Sequence, residues 1–289
     1  MYSLPQLLRS RCREILGTEI QSVRDIGGGD INQARLLETE KGSYFLKMNS
    51  GEEAAAMFQA EAKGLQILAC LGIFKIPEVI GFGREGGLSF LLMEFVESGP
   101  RTASFWEDFG RSLARLHRRS DKNFGLDHDN FIGALPQKNN RHPDWASFFI
   151  EERLQPQIEL ANRLNKLQAS DNQRFEKLFQ KISELCPEEM PALTHGDLWS
   201  GNFLSGPKKE VVLIDPAVSY AHREMDMAMT RLFGGFDSKF YNSYENAFPL
   251  EPGFEGRVAV YQLYYLLVHV NLFGGGYVNS VRSILKKIA

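Results

Sequence analysis

Two carboxylates and an amide stand in this chain in the order that phosphoryl transfer needs. In Leu193-Thr-His-Gly-Asp-Leu-Trp-Ser-Gly-Asn-Phe-Leu204, the carboxylate Asp197 precedes the amide Asn202 by five residues. A second carboxylate, Asp215, comes thirteen residues further on, at the end of the apolar run Val211-Val-Leu-Ile214. A carboxylate in the first place can take the proton of a substrate hydroxyl. An amide and a second carboxylate can hold Mg2+ against the phosphates of ATP. Asn202-Phe-Leu and Val211-Val-Leu-Ile read as two short strands around the turn Ser205-Gly-Pro-Lys208, which is expected to set Asn202 and Asp215 side by side. Each residue alone is an ordinary cap or turn residue; the three in this order read as a kinase-type catalytic loop.

Such a loop needs a partner that grips the nucleotide. Gly27, Gly28 and Gly29 follow the apolar Val23 and Ile26 and precede the strand-like Ala34-Arg-Leu-Leu37. Glycines let the backbone approach a phosphate and aim N–H groups at it, although a triple glycine also serves as a plain turn. The segment matches neither the dinucleotide fingerprint nor the Walker loop. Lys47 stands in the strand-like Tyr44-Phe-Leu-Lys-Met48, where it is either an edge lysine or a phosphate ligand. A helix is expected over Glu52–Leu71, with Met57, Leu65 and Leu68 on one stripe and Glu61 on the same stripe. A carboxylate there needs a cation, and Lys47 is the candidate. Leu88-Ser-Phe-Leu-Leu-Met-Glu-Phe-Val96 reads as a buried strand running into a joint at Glu97–Ser104. Position alone assigns adenine contacts to Glu94, Phe95 and Val96.

The whole chain sets limits. It has 289 residues, 43% hydrophobic and 24% charged, the balance of a globular protein with room for two cores. A net charge of −3 offers no basic field for nucleic acid or an anionic membrane. The cysteines Cys12, Cys70 and Cys186 are widely spaced without metal-ligand spacing and read as buried thiols. No charged-then-apolar leader opens the sequence, and the apolar stretch Tyr261–Phe273 is too short to span a bilayer. A cytoplasmic protein is expected, as a monomer or a weak homodimer. Asp121–Asp144, rich in Asn, Asp, Gly and Pro, reads as a long and therefore functional loop.

Helices are expected over Trp106–Arg119, Trp145–Leu164, Arg174–Leu185 and Arg257–Phe273. In the first, Trp106, Phe109, Leu113 and Leu116 share a face, and His117 beside them reads as a hydrogen-bonded structural histidine. His222, Glu224 and Asp226 could be taken for a metal cluster, but Asp226 at a helix start suits acceptance of backbone N–H groups, bracing the catalytic loop.

From about Ile26 onward the chain resembles the fructosamine kinase (ketosamine 3-kinase) family, a branch of the aminoglycoside-phosphotransferase and choline-kinase-like fold. The resemblance rests on His195-Gly-Asp-Leu-Trp-Ser-Gly-Asn202, Ile214-Asp-Pro-Ala217, His222-Arg-Glu-Met-Asp-Met-Ala-Met229, Leu232-Phe-Gly-Gly-Phe236 and Asn271-Leu-Phe-Gly-Gly-Gly-Tyr277. It implies an α+β, bilobal, protein-kinase-like fold. Residues 1–96 would form a small antiparallel-sheet lobe that clamps nucleotide, and residues 97–289 a mainly helical lobe with catalytic loop and substrate site. The implied reaction moves the γ-phosphoryl group of ATP to the 3-hydroxyl of a free or protein-bound ketosamine. On this resemblance Asp197 matches the catalytic base, Asn202 and Asp215 the Mg2+ ligands, and Lys47 with Glu61 the phosphate-orienting pair. Trp199 matches an aromatic that flanks the sugar, and a flat ring beside the base can stack on a sugar's C–H face; the alternative is a core anchor below the loop.

Two departures stand out. Ser219-Tyr-Ala-His222 replaces the family's frequent Tyr-Tyr-Gly-His, and Asp30 takes the place of a glycine-loop cysteine that plant and animal members use for redox pairing. The rival readings are an aminoglycoside, choline or homoserine kinase of the same fold, and a nucleotide-binding pseudokinase. An aminoglycoside site would need an acidic lining for a polycation, for which Glu151, Glu152 and Glu251 are available but form no concentrated block. The second predicts loss of the lysine, the base or a metal position, and all are present.

Overall fold

Alternating strands and two helices build the first part of the chain. The computed structural model describes residues 4–27 and 32–288. Helix α1 (Gln6–Leu16) leads into strands β1 (Ile20–Asp25), β2 (Gln33–Thr39) and β3 (Gly42–Asn49). Helix α2 (Ala54–Cys70) and strands β4 (Val79–Glu85) and β5 (Leu88–Glu94) follow. The five strands form one antiparallel sheet in the order β1-β2-β3-β5-β4. Leu8, Cys12 and Leu16, one face of α1, pack with Leu37, Leu46, Met48, Phe90 and Leu92. Because strand side chains alternate, Lys47 points away from the face that carries Leu46 and Met48.

Two compact units result. One comprises Met1–Phe105 with Phe203–Pro216, and the other Trp106–Asn202 with Ala217–Ala289. The segment 203–216 therefore packs with the sheet-bearing unit, although the division at residues 96 and 97 would assign it to the later part. It is a hairpin of Phe203–Ser205 with Val211–Leu213, Leu213 opposite Phe203. Backbone hydrogen bonds fasten it: Lys75 N–H to Val211 O (3.3 Å), Leu213 N–H to Lys75 O (3.1 Å) and Gly99 N–H to Ser205 O (2.7 Å).

The second unit is helical around one core. Helix Phe254–Phe273, three residues longer than expected, buries residues nearly all round its surface. The expected helix Trp145–Leu164 is not uniform: Phe149–Leu154 forms a π-helical turn between the α-helical pieces Trp145–Phe148 and Gln155–Arg163. The wider turn places Glu152 and Arg153 both inside the protein. Arg153 donates to Lys138 O (2.6 Å), Asn139 Oδ1 (2.7 Å) and Ser219 Oγ (3.2 Å). The expected helix Arg174–Leu185 is instead two helices, Ala169–Phe179 and Ile182–Leu185. Asp171, in the first turn, accepts from Gln168 N–H (3.0 Å) and so starts the helix five residues earlier.

Asp121–Asp144 is not a free loop. It contains the hairpin Asn130–Ile132 with Leu135–Gln137, and Asn130 Nδ2 donates to Val218 O (2.8 Å). Cys12 and Cys186 are buried, but Cys70 is exposed. The buried stripe of α2 runs through Leu65 and Leu68, and residue 70 turns away from it. Among the described residues no helix is long and apolar enough to cross a membrane.

Candidate active site

In the sheet-bearing unit, Lys47 on β3 and Glu61 on α2 meet as the periodicities require: Lys47 Nζ lies 2.7 Å from Glu61 Oε1. The same ammonium lies 2.5 Å from Asp215 Oδ1, a contact the sequence did not disclose. Burial pulls the Lys47 pKa down, but the charges of Asp215 and Glu61 outweigh it and hold it above the ordinary lysine value. Burial pushes the Glu61 carboxyl up; Lys47 opposes the rise and the Asp215 carboxylate adds to it. One buried ammonium thus holds two carboxylates that would otherwise repel. Asp215 follows the hairpin strand Val211–Leu213 by two residues and has φ 53°, the left-handed region that aspartate tolerates better than most residues. Its side chain is about two-fifths exposed (42%).

Glu94, Phe95 and Val96 line a cavity of about 410 Å³ with Ser43, Lys75 and Pro207. The N–H of Glu94 donates to Glu78 O (2.8 Å) and that of Phe95 to Ser43 O (3.2 Å), so both are engaged within the protein. The Glu94 carboxylate holds Lys75 Nζ at 2.6 Å. Gly27 lies two residues beyond the end of β1, and a Cβ there would meet nothing within 4 Å; Gly28, Gly29 and Asp30 lie outside the described residues.

In the helical unit the loop that carries Asp197 leaves the short strand Ala192–Thr194, which pairs with Ser219–Ala221. Gly196 has φ +84°, and a Cβ there would run into the carbonyl oxygen of Ala217. The glycine of His-Gly-Asp is therefore required by backbone shape as well as by space. Asn202 Nδ2 donates both to Asp197 O (2.8 Å) and to Asp197 Oδ2 (3.0 Å). This fixes the half-buried Asp197 carboxylate and leaves the amide oxygen of Asn202 as the acceptor end.

A buried brace stands behind the loop. Asp226 accepts from the N–H groups of His195 (2.7 Å) and Gly196 (2.9 Å), rather than from the start of its own helix Glu224–Leu232. His117 Nε2 lies 3.2 Å from Asp226 Oδ2, and His117 Nδ1 lies 2.8 Å from the Tyr244 hydroxyl. His222 and Glu224 have separate partners: His222 Nε2 faces Pro187 O at 3.2 Å, and Glu224 binds Arg257 through two bonds of 2.8 and 2.5 Å. Trp199 projects from the loop about a third exposed, edge-on to Phe233. Phe233, its neighbour, and His269 beside Phe233 escaped the sequence reading; only the Phe-Gly-Gly pair hinted at them.

The profile of the fructosamine kinase family matches residues 6–289. The chain is 41% identical to a probable ketoamine kinase of Synechocystis, over 93% of this chain and 90% of that one. It is 39% identical to the chloroplastic protein-ribulosamine 3-kinase of Oryza sativa, over 93% of this chain and 79% of that one. Among solved structures it is similar to a putative fructosamine-3-kinase of Haemophilus somnus, with a TM-score of 0.87 and 28% identity over 98% of this chain and 97% of that one. With a family match spanning nearly its whole length and relatives of this similarity, the chain belongs to the fructosamine kinase family.

Proposed function

We propose that this protein is an ATP-dependent ketosamine 3-kinase acting on free or protein-bound ketosamines in the cytoplasm, where ATP is supplied. The observation that carries the reading is the family match over residues 6–289, inside which no position of the kinase chemistry is lost. Asp197 takes the proton of the C3 hydroxyl as that oxygen forms its bond to the γ-phosphorus and the bond to the β–γ bridging oxygen breaks. Asn202, by donating to the backbone carbonyl and to Oδ2 of Asp197, keeps the base in one rotamer. Lys47, kept cationic by its two carboxylate neighbours, is assigned to the ATP phosphates. The Asn202 amide oxygen and the Asp215 carboxylate are hard oxygen donors of the kind Mg2+ takes, with water and phosphate oxygens completing its shell. Mg2+ bound there would neutralise charge on the phosphates. Catalysis on this reading is positioning and charge stabilisation.

Glu152 argues against a polycation site, because its buried carboxylate is already bound to His142 Nε2 (2.9 Å) and to Asn140. ATP consumption with Mg2+ against fructose-, ribulose- and erythrulose-lysine, choline and kanamycin tests the reading. Turnover is expected on ketosamines alone. Turnover on only choline or kanamycin would overturn the substrate class, and ATP binding without turnover on any compound would favour a pseudokinase.

Lys47→Met gives a second check. It removes the phosphate-facing cation and should lower kcat/KM for ATP by about a hundredfold. It also leaves Glu61 and Asp215 without their shared ammonium, so the melting temperature should fall in the same variant. An enzyme with unchanged ATP kinetics would remove Lys47 from the phosphate site.

A further inference from the structure

Seven large apolar side chains lie exposed among the described residues, and three of them, Trp199, Phe233 and Phe273, share one patch. They are joined through His269. The Trp199 and Phe233 rings stand 6.2 Å apart at 74°, Phe233 and His269 4.9 Å apart, and His269 lies 4.9 Å from Tyr277 and 5.5 Å from Phe273. All belong to the helical unit that carries Asp197. The patch is built onto the catalytic loop: a Cβ on Gly201 would enter the Trp199 indole. One on Gly235 (φ +90°), next to Phe233, would meet Ser200 Cβ at 2.6 Å. A contiguous aromatic surface beside the base, held by glycines at both contacts, is unlike a stray exposed ring.

The polar atom within it has a defined character. His269 Nδ1 lies 2.8 Å from the Tyr265 carbonyl oxygen of its own helix, so Nδ1 carries the proton and Nε2 carries a lone pair. No hydrogen-bond partner for Nε2 is found among the described residues, and the atom is not sealed from solvent. Burial lowers the His269 pKa below the ordinary value, which favours the neutral ring. Phe273 is the last residue of the twenty-residue helix Phe254–Phe273, the end of negative partial charge, and His269 lies one turn before it. Ring faces, a neutral nitrogen acceptor and a helix C-terminus all suit one kind of group, an organic cation with an N–H to donate.

The geometry points to a subsite, made by Phe233, His269 and Tyr277 beside Trp199, that binds the protonated secondary amine of the ketosamine. This rests on the ketosamine kinase reading and adds to it the means of telling a ketosamine from a neutral ketose derivative. The amine nitrogen donates to His269 Nε2 while its positive charge faces the rings of Phe233 and Tyr277. His269 and Phe233 act here as substrate-binding residues and take no part in proton transfer.

The test compares a ketosamine with its N-acetyl analogue, which has the same sugar and a neutral amide nitrogen. Wild-type kcat/KM should favour the cationic substrate by about tenfold or more, the scale of a hydrogen bond to a charged group. His269→Phe keeps a ring and removes the acceptor; Phe233→Leu keeps bulk and removes the π face. Each should bring the ratio within about threefold of unity, through KM for the ketosamine and with KM for ATP unchanged. A ratio that persists in both variants overturns the subsite, as does a wild-type enzyme that treats both compounds alike. Absence of turnover on every ketosamine would instead remove the underlying function, and this inference with it. Thermal melts of both variants separate a folding defect in one from a binding effect seen in the other.

Discussion

Asp197→Asn should lower kcat for ketosamine phosphorylation by about a thousandfold, within the range that general-base catalysis supplies. The substitution keeps the shape of the side chain, and its amide oxygen can still accept from Asn202 Nδ2, which now donates to Asp197 Oδ2 at 3.0 Å. What it removes is the ability to take a proton from the attacking hydroxyl. Lys47, Glu61 and Asp215 are untouched, so the affinity for ATP should hold. The loop is anchored through the backbone of His195 and Gly196, so the melting temperature should hold as well. Steady-state kinetics, an ATP titration and a thermal melt on one preparation decide the matter. A variant within tenfold of wild-type kcat would show that Asp197 is not the base, whatever its place in the motif.

The parts of this site that were legible in the sequence share a property: their geometry is set by local periodicity. Lys47 and Glu61 meet because a strand alternates and a helix repeats every three to four residues, and both periods can be counted. Asp197 and Asn202 lie on one continuous loop, so their contact needs no knowledge of the fold. What stayed hidden depends on where distant segments come to rest. Asp226 was expected to accept backbone N–H groups and brace the catalytic loop, but which N–H groups, those of His195 and Gly196 some thirty positions earlier, follows only from the fold. The same holds for Asp215 on Lys47, 168 residues apart, and for Phe233 and His269 near Trp199. The π-helical turn at Phe149–Leu154 was unreadable for another reason: its apolar pattern is that of an α-helix, and the buried Arg153 that uses the extra width has partners elsewhere in the chain.

Asp226→Asn should separate structure from chemistry at this site. The wild-type carboxylate is fully buried and faces three groups, the N–H of His195, the N–H of Gly196 and the His117 ring. An amide in its place has one acceptor oxygen, and its NH2 would confront a donor, so at least one buried N–H loses its partner. Breaking such a buried, charge-assisted cluster costs about 3 kcal/mol, a fall of roughly 5–10 °C in melting temperature for a protein of this size. Activity should fall with it, because the N–H groups released belong to the two residues that precede the base. The pH dependence gives a third readout. Burial pushes the Asp226 carboxyl up, but hydrogen bonds and charge from His117, with the Gly196 N–H, outweigh it and hold the folded-state pKa below the ordinary value. The unfolded chain therefore binds the proton first as pH falls. The stabilisation is full above the ordinary aspartate pKa of about 4 and is lost as pH drops through the lower folded-state value. Melts recorded from pH 7 down to about 3 should show the gap between wild type and Asp226→Asn narrowing below about pH 4. Equal melting temperatures at pH 7 would mean that the loop holds its shape without this carboxylate, and the brace would have to be sought in the hydrogen bond from Ala217 N–H to His195 O instead.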